Sequence, residues 1–411
     1  MRGLTQARTS RRALLRATGL GAAALGASGL LSACGVEGQA KQKPHGKNDV
    51  EKFWSGKKKT GHVSWAAWPL YIDVDPEKKS RHPSIELFEK DTGIKVDYSE
   101  VIQSDPDFFA KVQPSLSADQ YSGYDIAQIQ DAIWLNKMRE LGYLVPLDHD
   151  RLPNFTKYAA DIYKDPTYDP NNTYSVPWQA GFTGIAYDPD RTGREITSFD
   201  DLLDPRFKGK IGMFGNNVEL PNSALLAVGV EPEKSTPKDW KKAAGWLAKQ
   251  KPLVRKYYGQ DYIEALVKGD IWITLAYSGD VFQQNLSGSN LKFVIPDEGA
   301  LLWVDNFVIL SHAKHPVDAM MLMDFYFQPK IAAMVAEYVN YVTPVPAAQQ
   351  VVEKDAAKAS GDRASYLRQV AHSYAVFPSD KTYREVYPYR HGLSGQKLET
   401  WNSTFEPIYQ S

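Results

Sequence analysis

Short apolar segments alternate with amphipathic ones from His62 onward. Three of the short segments have the length and alternation of strands: 62–65, 94–98 and 124–129. The amphipathic segment after the first strand predicts a helix that has Ser84 as its N-cap and ends before Gly93. A second helix is predicted around residues 108–116. Repeated strand, helix and strand predict an α/β architecture with a mostly parallel sheet.

Two longer extended segments, 174–187 and 301–310, are each long enough to pass from one half of the molecule to the other. A chain of 411 residues also exceeds what one hydrophobic core usually supports, so two lobes are expected. Two crossings imply that the first lobe is discontinuous in sequence. The expected division is lobe one at 59–183 and 304–345, lobe two at 184–303, and C-terminal helices at 346–411 that pack across both lobes.

The N-terminal segment, residues 1–33, has the pattern of an export signal. The pair Arg11-Arg12 precedes a weakly apolar stretch, rich in glycine and alanine, that is a poor match to a membrane-spanning helix. The arginine pair resembles a twin-arginine signal. Residues 31–34 are typical of a bacterial lipobox, in which Cys34 is lipidated and begins the mature chain. A plain secretory signal that contains a cysteine by chance is the alternative.

Residues 34–58 follow the lipobox and are rich in glycine, lysine and glutamine, which predicts a flexible, lipid-anchored tether. No second apolar run of about 18 residues or more follows. The expected location is therefore the outer face of the cytoplasmic membrane, with the folded part held there by the lipid on Cys34.

The charge balance of the chain changes once the signal is removed. The whole sequence has a net charge of −1, but residues 1–33 contain five arginines and no acid, so the mature chain has 43 basic and 49 acidic residues, a net charge of −6. This balance argues against a nucleic-acid partner and weakly favours a cationic one. Because Cys34 is the only cysteine, an internal disulfide framework and multi-cysteine metal sites are excluded.

Catalytic motifs are absent from the mature sequence. It has no phosphate-binding loop, zinc-protease motif, nucleophile elbow or dinucleotide fingerprint. Only His312 and His315 are close together among the histidines, and the residues around them offer no further metal ligands. We therefore predict a protein that is not an enzyme and has no catalytic residues, cofactor or metal.

Aromatic and acidic residues occur where strands and crossings end: Trp68, Tyr71, Glu219, Tyr277, Trp303, Asp305 and Tyr341. In open α/β sheets, ligands bind beyond the carboxyl ends of the strands. Any single aromatic residue of this set is equally consistent with core packing. Glu219 and Asp305 favour a site, because a carboxylate among aromatic rings needs a partner and a bound ammonium group would provide one.

The mature chain resembles the spermidine/putrescine-binding family of solute-binding subunits of bacterial ABC importers. The similarity extends over most of its length and is carried by short segments in a characteristic order: 68–71, 92–96, 123–125, 174–177, 204–210, 299–305 and 341–344. The resemblance implies a two-lobed, type II periplasmic-binding-protein fold that closes on a ligand between its lobes. It also implies an ABC permease as partner and a monomeric binding protein.

The resemblance also assigns roles to individual residues. It places four rings in the cleft: Trp68, Tyr71, Trp303 and Tyr341. Tyr277 stands where polyamine binders of the family have a tryptophan. Asp305 matches a carboxylate that holds an amine nitrogen, and Glu219 matches a second carboxylate at the other end of the cleft.

One position departs from the family pattern. Asn216 stands where polyamine binders carry an aspartate, and an asparagine accepts a hydrogen bond but brings no charge. Asp131 is the candidate for a compensating acid, although the register leaves Gln130 and Asp131 interchangeable. Asp280 is a weaker candidate.

The function implied is capture of a polyamine, putrescine or spermidine, and its delivery to the permease. The alternative keeps the fold and the transport role but changes the ligand to another cationic amine, an amino-acid derivative or a sugar. A binding fold recruited as a hydrolase or a signalling receptor has no motif in its favour.

Overall fold

The computed structural model describes residues 47–410, so the predicted signal, Cys34 and the first part of the tether lie outside the described residues. Ten strands lie within this range: β1 His62–Ala67, β2 Lys95–Glu100, β3 Ile126–Gln130, β4 Ser175–Tyr187, β5 Ile211–Phe214, β6 Val254–Tyr258, β7 Ile273–Tyr277, β8 Lys292–Val294, β9 Ala300–Ile309 and β10 Val386–Pro388. The same range contains sixteen α-helices: α1 Lys47–Trp54, α2 Pro83–Thr92, α3 Asp105–Ser117, α4 Ile133–Glu140, α5 Pro153–Tyr158, α6 Pro189–Thr192, α7 Glu219–Ala227, α8 Pro237–Gln250, α9 Tyr262–Lys268, α10 Ser278–Leu286, α11 Pro316–Phe325, α12 Pro329–Val339, α13 Ala348–Lys358, α14 Gly361–Ala371, α15 Asp380–Arg384 and α16 Gly395–Tyr409.

All ten strands belong to one sheet, in the order β2-β1-β3-β9-β4-β7-β5-β6, with β10 beside β9 and β8 beside β4. The sheet is parallel within each flank, where β1 pairs with β2 and β3, and β5 pairs with β6 and β7. Its centre is antiparallel, because β9 runs against β3 and β4, and β4 runs against β7. The prediction of a mostly parallel sheet is therefore right for the flanks and wrong for the centre.

The two central strands connect the flanks. Among the first nine residues of β4, Ser175–Thr183, all except Trp178 pair with β9, and Thr183–Tyr187 pair with β7. The second half of β9, Asp305–Ile309, pairs with β3. Every residue of both strands is buried, so the protein covers both faces of the sheet at its centre.

Helix α2 shows one correct and one wrong boundary prediction. It ends as predicted at Gly93, which has a φ of 70°. It begins at Pro83, however, and His82 occupies the N-cap position predicted for Ser84. The carboxylate of Asp73 accepts a hydrogen bond of 2.8 Å from the Ser84 amide, so an acid from the preceding loop satisfies the first turn instead.

The predicted tether is too long, because residues 47–54 form α1. The indole nitrogen of Trp54 donates a hydrogen bond to the Pro146 carbonyl at 2.8 Å, and the side chain is buried. A flexible tether would leave this ring exposed to water, so burial of its apolar surface holds α1 against the folded part.

The segment after residue 345 contains a strand as well as the predicted helices. α13 and α14 pack together and α13 contacts α12, whereas α16 packs on α8, where the rings of Trp401 and Trp240 are 5.2 Å apart. β10 extends the sheet beside the start of β9. Between residues 47 and 410, no helix combines the length and hydropathy needed to cross a membrane.

Candidate functional site

A cavity of about 260 Å³ opens between the two flanks of the sheet. Nine of the ten predicted site residues line it: Trp68, Tyr71, Gln130, Asn216, Glu219, Tyr277, Trp303, Asp305 and Tyr341. Asp131 is the exception. Within residues 47–410, no group of His, Cys, Asp and Glu side chains is arranged to hold a metal ion. The geometry of this cavity is that of a binding cleft for a small organic molecule.

The ends of parallel strands place these residues at one edge of the sheet. Trp68 follows β1, Gln130 ends β3, Asn216 follows β5, and Tyr277 ends β7. β1 and β3 belong to one flank, and β5 and β7 belong to the other. Both flanks therefore direct their carboxyl ends at the same cavity, as the strand-end rule for α/β sheets requires.

Aromatic rings form a continuous wall along the cavity. Trp303 lies 5.3 Å from Tyr341 and 5.7 Å from Tyr277, measured between ring centroids, and Tyr341 lies 6.1 Å from Tyr71. All three pairs meet edge to face. Two glycines make room for the rings, because a Cβ atom at Gly181 would collide with Trp303 and one at Gly279 would collide with Tyr341. Such a wall offers apolar and π surface to methylene groups and cations.

Asp305 defines one end of the cleft. It lies buried on β9, and its Oδ2 accepts a hydrogen bond of 2.6 Å from the hydroxyl of Tyr71. Gln130 on β3 is the residue opposite Asp305 in the antiparallel register, so both border the same part of the cavity. We call this region, with Asp105, the aspartate end.

Glu219 defines the other end. It is the buried first residue of α7, and its Oε1 accepts hydrogen bonds from the hydroxyl groups of Tyr277, at 2.9 Å, and Tyr389, at 3.2 Å. Burial raises the pKa of Glu219, while these hydroxyl groups and the Asn216 amide favour the ionised form and oppose the rise. We call the region formed by Glu219, Asn216, Tyr277 and Tyr389 the glutamate end.

Asn216 supports α7 rather than offering an acceptor to the cavity. Its Oδ1 accepts hydrogen bonds from the amides of Val218, at 2.9 Å, and Glu219, at 2.8 Å. Its side-chain amide also lowers the pKa of Glu219, because it favours the ionised carboxylate. The side-chain oxygen, which sequence reasoning treated as a remaining acceptor, is therefore used by the backbone at the start of α7.

Asp131 does not take the compensating role predicted for it. The side chain is 1% exposed and lies outside the cavity lining, with its Oδ2 at 3.4 Å from Nε2 of His391. Gln130 lines the cavity instead, because consecutive residues at the end of a strand point to opposite sides. Asp280 also lies outside the lining, and it accepts hydrogen bonds from Tyr262, at 2.7 Å, and Tyr341, at 2.8 Å.

Sequence reasoning missed Asp105, the first residue of α3, which lines the cavity at the aspartate end. Burial raises the pKa of Asp105 well above the usual aspartate range, and the charges of Asp305 and Glu219 raise it further. Other lining residues were also missed: Gln103, Ser104, Pro106, Trp134, Asn217, Val218 and Gln260. In the sequence, Asp105 could have been noticed as an acid in the loop region that follows a predicted strand. An acid in the first turn of a helix, however, usually only complements the helix dipole.

Comparison with protein families matches residues 84–361 to a family described as bacterial extracellular solute-binding protein. The spermidine/putrescine-binding periplasmic protein of Escherichia coli is 30% identical over 274 residues, which are 66% of this chain and 77% of that protein. The putrescine/agmatine-binding protein of Pseudomonas aeruginosa is 28% identical over 319 residues, which are 73% of this chain and 81% of that protein.

A solved structure shares the fold. It is the substrate-binding protein of a spermidine/putrescine ABC transporter from Streptococcus pneumoniae, with a TM-score of 0.70 and 24% identity over 85% of this chain and 99% of that chain. The predicted two-lobed α/β binding-protein fold is thereby confirmed. The family and the relatives are named for solute binding, which fits a protein that is not an enzyme. Because the family match spans more than half of the sequence, this chain belongs to the bacterial extracellular solute-binding proteins.

Proposed function

We propose that this chain is the substrate-binding lipoprotein of an ABC importer, which captures a polyamine such as putrescine or spermidine and delivers it to the membrane permease. The observation that carries the proposal is the position of Glu219 and Asp305, two buried carboxylates on one cavity, with a wall of aromatic rings between them. The similarity to relatives named for spermidine and putrescine binding supports this ligand class.

The chemistry of a polyamine suits this arrangement. Its methylene groups pack against ring faces such as those of Trp68 and Trp303, and its ammonium groups gain about 0.5–2 kcal/mol from each cation–π contact. Carboxylates at Asp305 and Glu219 then fix the charged ends through hydrogen bonds of about 1.5–3 kcal/mol each. The distance between the two ends of the cleft sets the preferred ligand length.

The proposal includes closure of two lobes on the ligand. We place lobe one at 59–183 and 304–345 and lobe two at 184–303, with β4 and β9 as the connections between them. The separate parallel flanks of the sheet support this division. Closure around crossing strands excludes water from the cleft and presents one rigid face of a monomer to the permease.

The proposal also includes a lipid anchor at Cys34 and export by the twin-arginine route. The lipobox at 31–34 and the arginine pair at 11–12 support these two steps. Because α1, residues 47–54, packs on the folded part, these residues do not belong to the proposed tether. Metabolic labelling with a radioactive fatty acid is expected to label the wild-type protein and not Cys34→Ser, whereas equal labelling of both would contradict the anchor.

Calorimetric titration tests the ligand class directly. Residues 35–411 would be titrated in parallel with putrescine, cadaverine, spermidine and spermine. We expect micromolar or tighter binding of at least one of the four, with a length preference that reports the separation of Glu219 and Asp305 in the closed cleft. Failure of all four to bind would contradict the polyamine assignment and leave the family and the fold.

A second candidate keeps the transport role and changes the ligand. Asn216 favours this candidate, because it brings no charge and its Oδ1 atom already accepts hydrogen bonds from the backbone at the start of α7. The glutamate end then has a single carboxylate, and that carboxylate already accepts a hydrogen bond from a neutral donor. A ligand with a single ammonium group, an amino-acid derivative or a sugar hydroxyl would match that end. Binding of such a ligand without competition from polyamines would establish this alternative.

A further inference from the structure

Asp105 is a buried acidic side chain on the wall of the cleft. It is 8% exposed, it lines the cavity, and its Oδ1 has no hydrogen-bond partner among residues 47–410. The charged groups that act most strongly on it are themselves acids, Asp305, Glu219 and Asp131. A buried carboxylate without a counter-charge is costly, so the protein retains an unfavourable group on the wall of its cleft.

The start of α3 does not account for this group. Ser104 is the N-cap, and its hydroxyl oxygen accepts a hydrogen bond of 3.2 Å from the Asp107 amide. The Asp107 carboxylate in turn accepts a hydrogen bond of 2.6 Å from the Ser104 hydroxyl. The exposed Asp107 therefore supplies the acid that complements the helix dipole, and the buried Asp105 is not needed for capping.

Asp105 and Asp305 belong to the same end of the cleft. The charge of Asp305 and the backbone amide of Gln130 both act on the carboxyl group of Asp105, and Gln130 is directly opposite Asp305 in the pairing of β3 with β9. All three residues line the cavity. Gln130 is therefore the neighbour that the two aspartates share.

We propose that Asp105 is a ligand-binding residue that forms, with Asp305 and the side-chain amide of Gln130, a subsite for a primary ammonium group. The inference rests on the proposed capture of an amine and adds which end of the ligand is held most tightly. A primary ammonium group has three N–H donors and the subsite has three acceptor groups, two of them charged. A quaternary ammonium group has no N–H donor and leaves Oδ1 of Asp105 without a hydrogen bond.

With this subsite, most of the acidic groups of the cleft lie at the aspartate end. The glutamate end has one carboxylate on the cavity, Glu219, and the aspartate end has two, Asp105 and Asp305. The three carboxylates that line the cavity, Asp105, Glu219 and Asp305, match the charge of a triamine or exceed that of a diamine. The ligand class that fits is an aliphatic amine with at least one unsubstituted primary ammonium end.

Calorimetry of Asp105→Asn tests the assignment, with Asp107→Asn as the matched control from the same helical turn. Putrescine and spermidine are the probes. We expect binding to Asp105→Asn to weaken by roughly tenfold or more, and binding to Asp107→Asn to stay within about twofold of the wild type. Putrescine with one nitrogen converted to a trimethylammonium group is expected to bind more weakly than putrescine. Putrescine with both nitrogens converted is expected not to bind.

Thermal melting of the unliganded proteins separates a binding role from a structural one. Replacing this buried acid, which has no donor at Oδ1, is expected to leave Asp105→Asn as stable as the wild type or more stable, whereas loss of a structural acid would lower the melting temperature. If Asp105→Asn does not fold, Asp105→Ser provides a second neutral side chain suited to a helix start.

The outcomes distinguish the two proposals. If the wild type binds none of the amines, the proposed function fails and the ammonium subsite fails with it. If the wild type binds putrescine or spermidine and neutral variants at Asp105 bind equally well, only the inference about Asp105 is overturned. Tighter binding of the trimethylated ligand than of putrescine would also overturn it.

Discussion

The two ends of the cleft differ in the hydrogen-bond donors that surround their buried carboxylates. At the glutamate end, Oε1 of Glu219 receives hydrogen bonds from the hydroxyl groups of Tyr277 and Tyr389, both neutral donors. At the aspartate end, Asp305 has the hydroxyl of Tyr71, while Oδ1 of Asp105 has no partner among the described residues. The carboxylate of Glu219 therefore has donors before a ligand arrives, whereas Asp105 keeps one acceptor without a donor.

This difference indicates which end of the cleft contributes most to affinity and which end selects the length of the ligand. A cation that reaches Glu219 shares the carboxylate with donors already present, so the net gain there is reduced. A cation that reaches Asp105 and Asp305 relieves the desolvation and mutual repulsion of two acids. We therefore expect the aspartate end to supply most of the binding free energy and the glutamate end to select ligand length.

The largest expected effect is that of Asp305→Asn. Removing this carboxylate leaves the buried ammonium group with Asp105 as its one acidic partner and takes away the acceptor that Tyr71 orients, so we expect affinity for putrescine to fall by about thirtyfold or more. Calorimetry measures the change. Asp97→Asn, an exposed acid on β2, is the control and is expected to bind as the wild type does. Unchanged affinity of Asp305→Asn would remove the aspartate end from the site.

Glu219→Gln is expected to have a smaller effect, about tenfold or less, because the hydroxyl groups of Tyr277 and Tyr389 already satisfy part of the carboxylate. The loss is expected to differ between ligands and to be greatest for the one whose length reaches α7. Titration of both variants with the four polyamines checks the order. A greater loss for Glu219→Gln than for Asp305→Asn would reverse the comparison between the ends.

Asn216→Asp sharpens the comparison by adding charge to the weaker end. An aspartate keeps one oxygen for the amides of Val218 and Glu219 and leaves the second for a cation. We expect spermidine to bind about threefold to tenfold more tightly and putrescine to change less. Asn217→Asp, at the neighbouring lining position, is the control. Weaker spermidine binding would mean that repulsion from Glu219 outweighs the added attraction.

Trp68 and Tyr277 were predictable from the sequence because they lie at strand ends, where a periodic pattern stops and a large side chain stands out. Trp303 and Asp305 lie within β9 and Glu219 begins α7, so their place in the site followed from the resemblance to the family rather than from periodicity. The choice between Gln130 and Asp131 was undetermined, because a shift of one residue reverses which side chain faces the cavity. The structure places Gln130 on the cavity and Asp131 behind it.

Asp105 and Tyr389 show what sequence patterns leave out. Asp105 stands in the first turn of a helix, where acids are common for reasons unrelated to ligands. Tyr389 is 170 residues from Glu219, and only the path of the chain through β10 brings its hydroxyl to the carboxylate. The parallel flanks were predictable from local alternation, but the antiparallel centre depends on the long-range pairing of β4 with β9.

The smallest expected effect concerns His391, which connects the C-terminal segment to the back of the aspartate end. It is 7% exposed, with Nε2 at 3.4 Å from Asp131 and Nδ1 at 3.3 Å from Glu233, and its ring contacts Tyr168. Burial lowers the pKa of His391, but the two acids raise it by more, so the net shift is upward.

A histidine whose folded-state pKa lies above its unfolded value stabilises the protein fully below the unfolded pKa, near 6.5, and that contribution is lost as pH rises through the folded pKa. His391→Gln is therefore expected to lower the free energy of unfolding by about 1 kcal/mol in mildly acidic solution and by less above neutrality. Urea unfolding across this pH range measures it, with the exposed His372→Gln as control. Putrescine affinity is expected to change by less than about twofold, because His391 holds Asp131 on the far side of Gln130 from the ligand. A loss of stability that does not change with pH would contradict stabilisation by the protonated His391. A loss of affinity equal to that of Asp305→Asn would place His391 in the binding machinery and extend the aspartate end beyond the cavity wall.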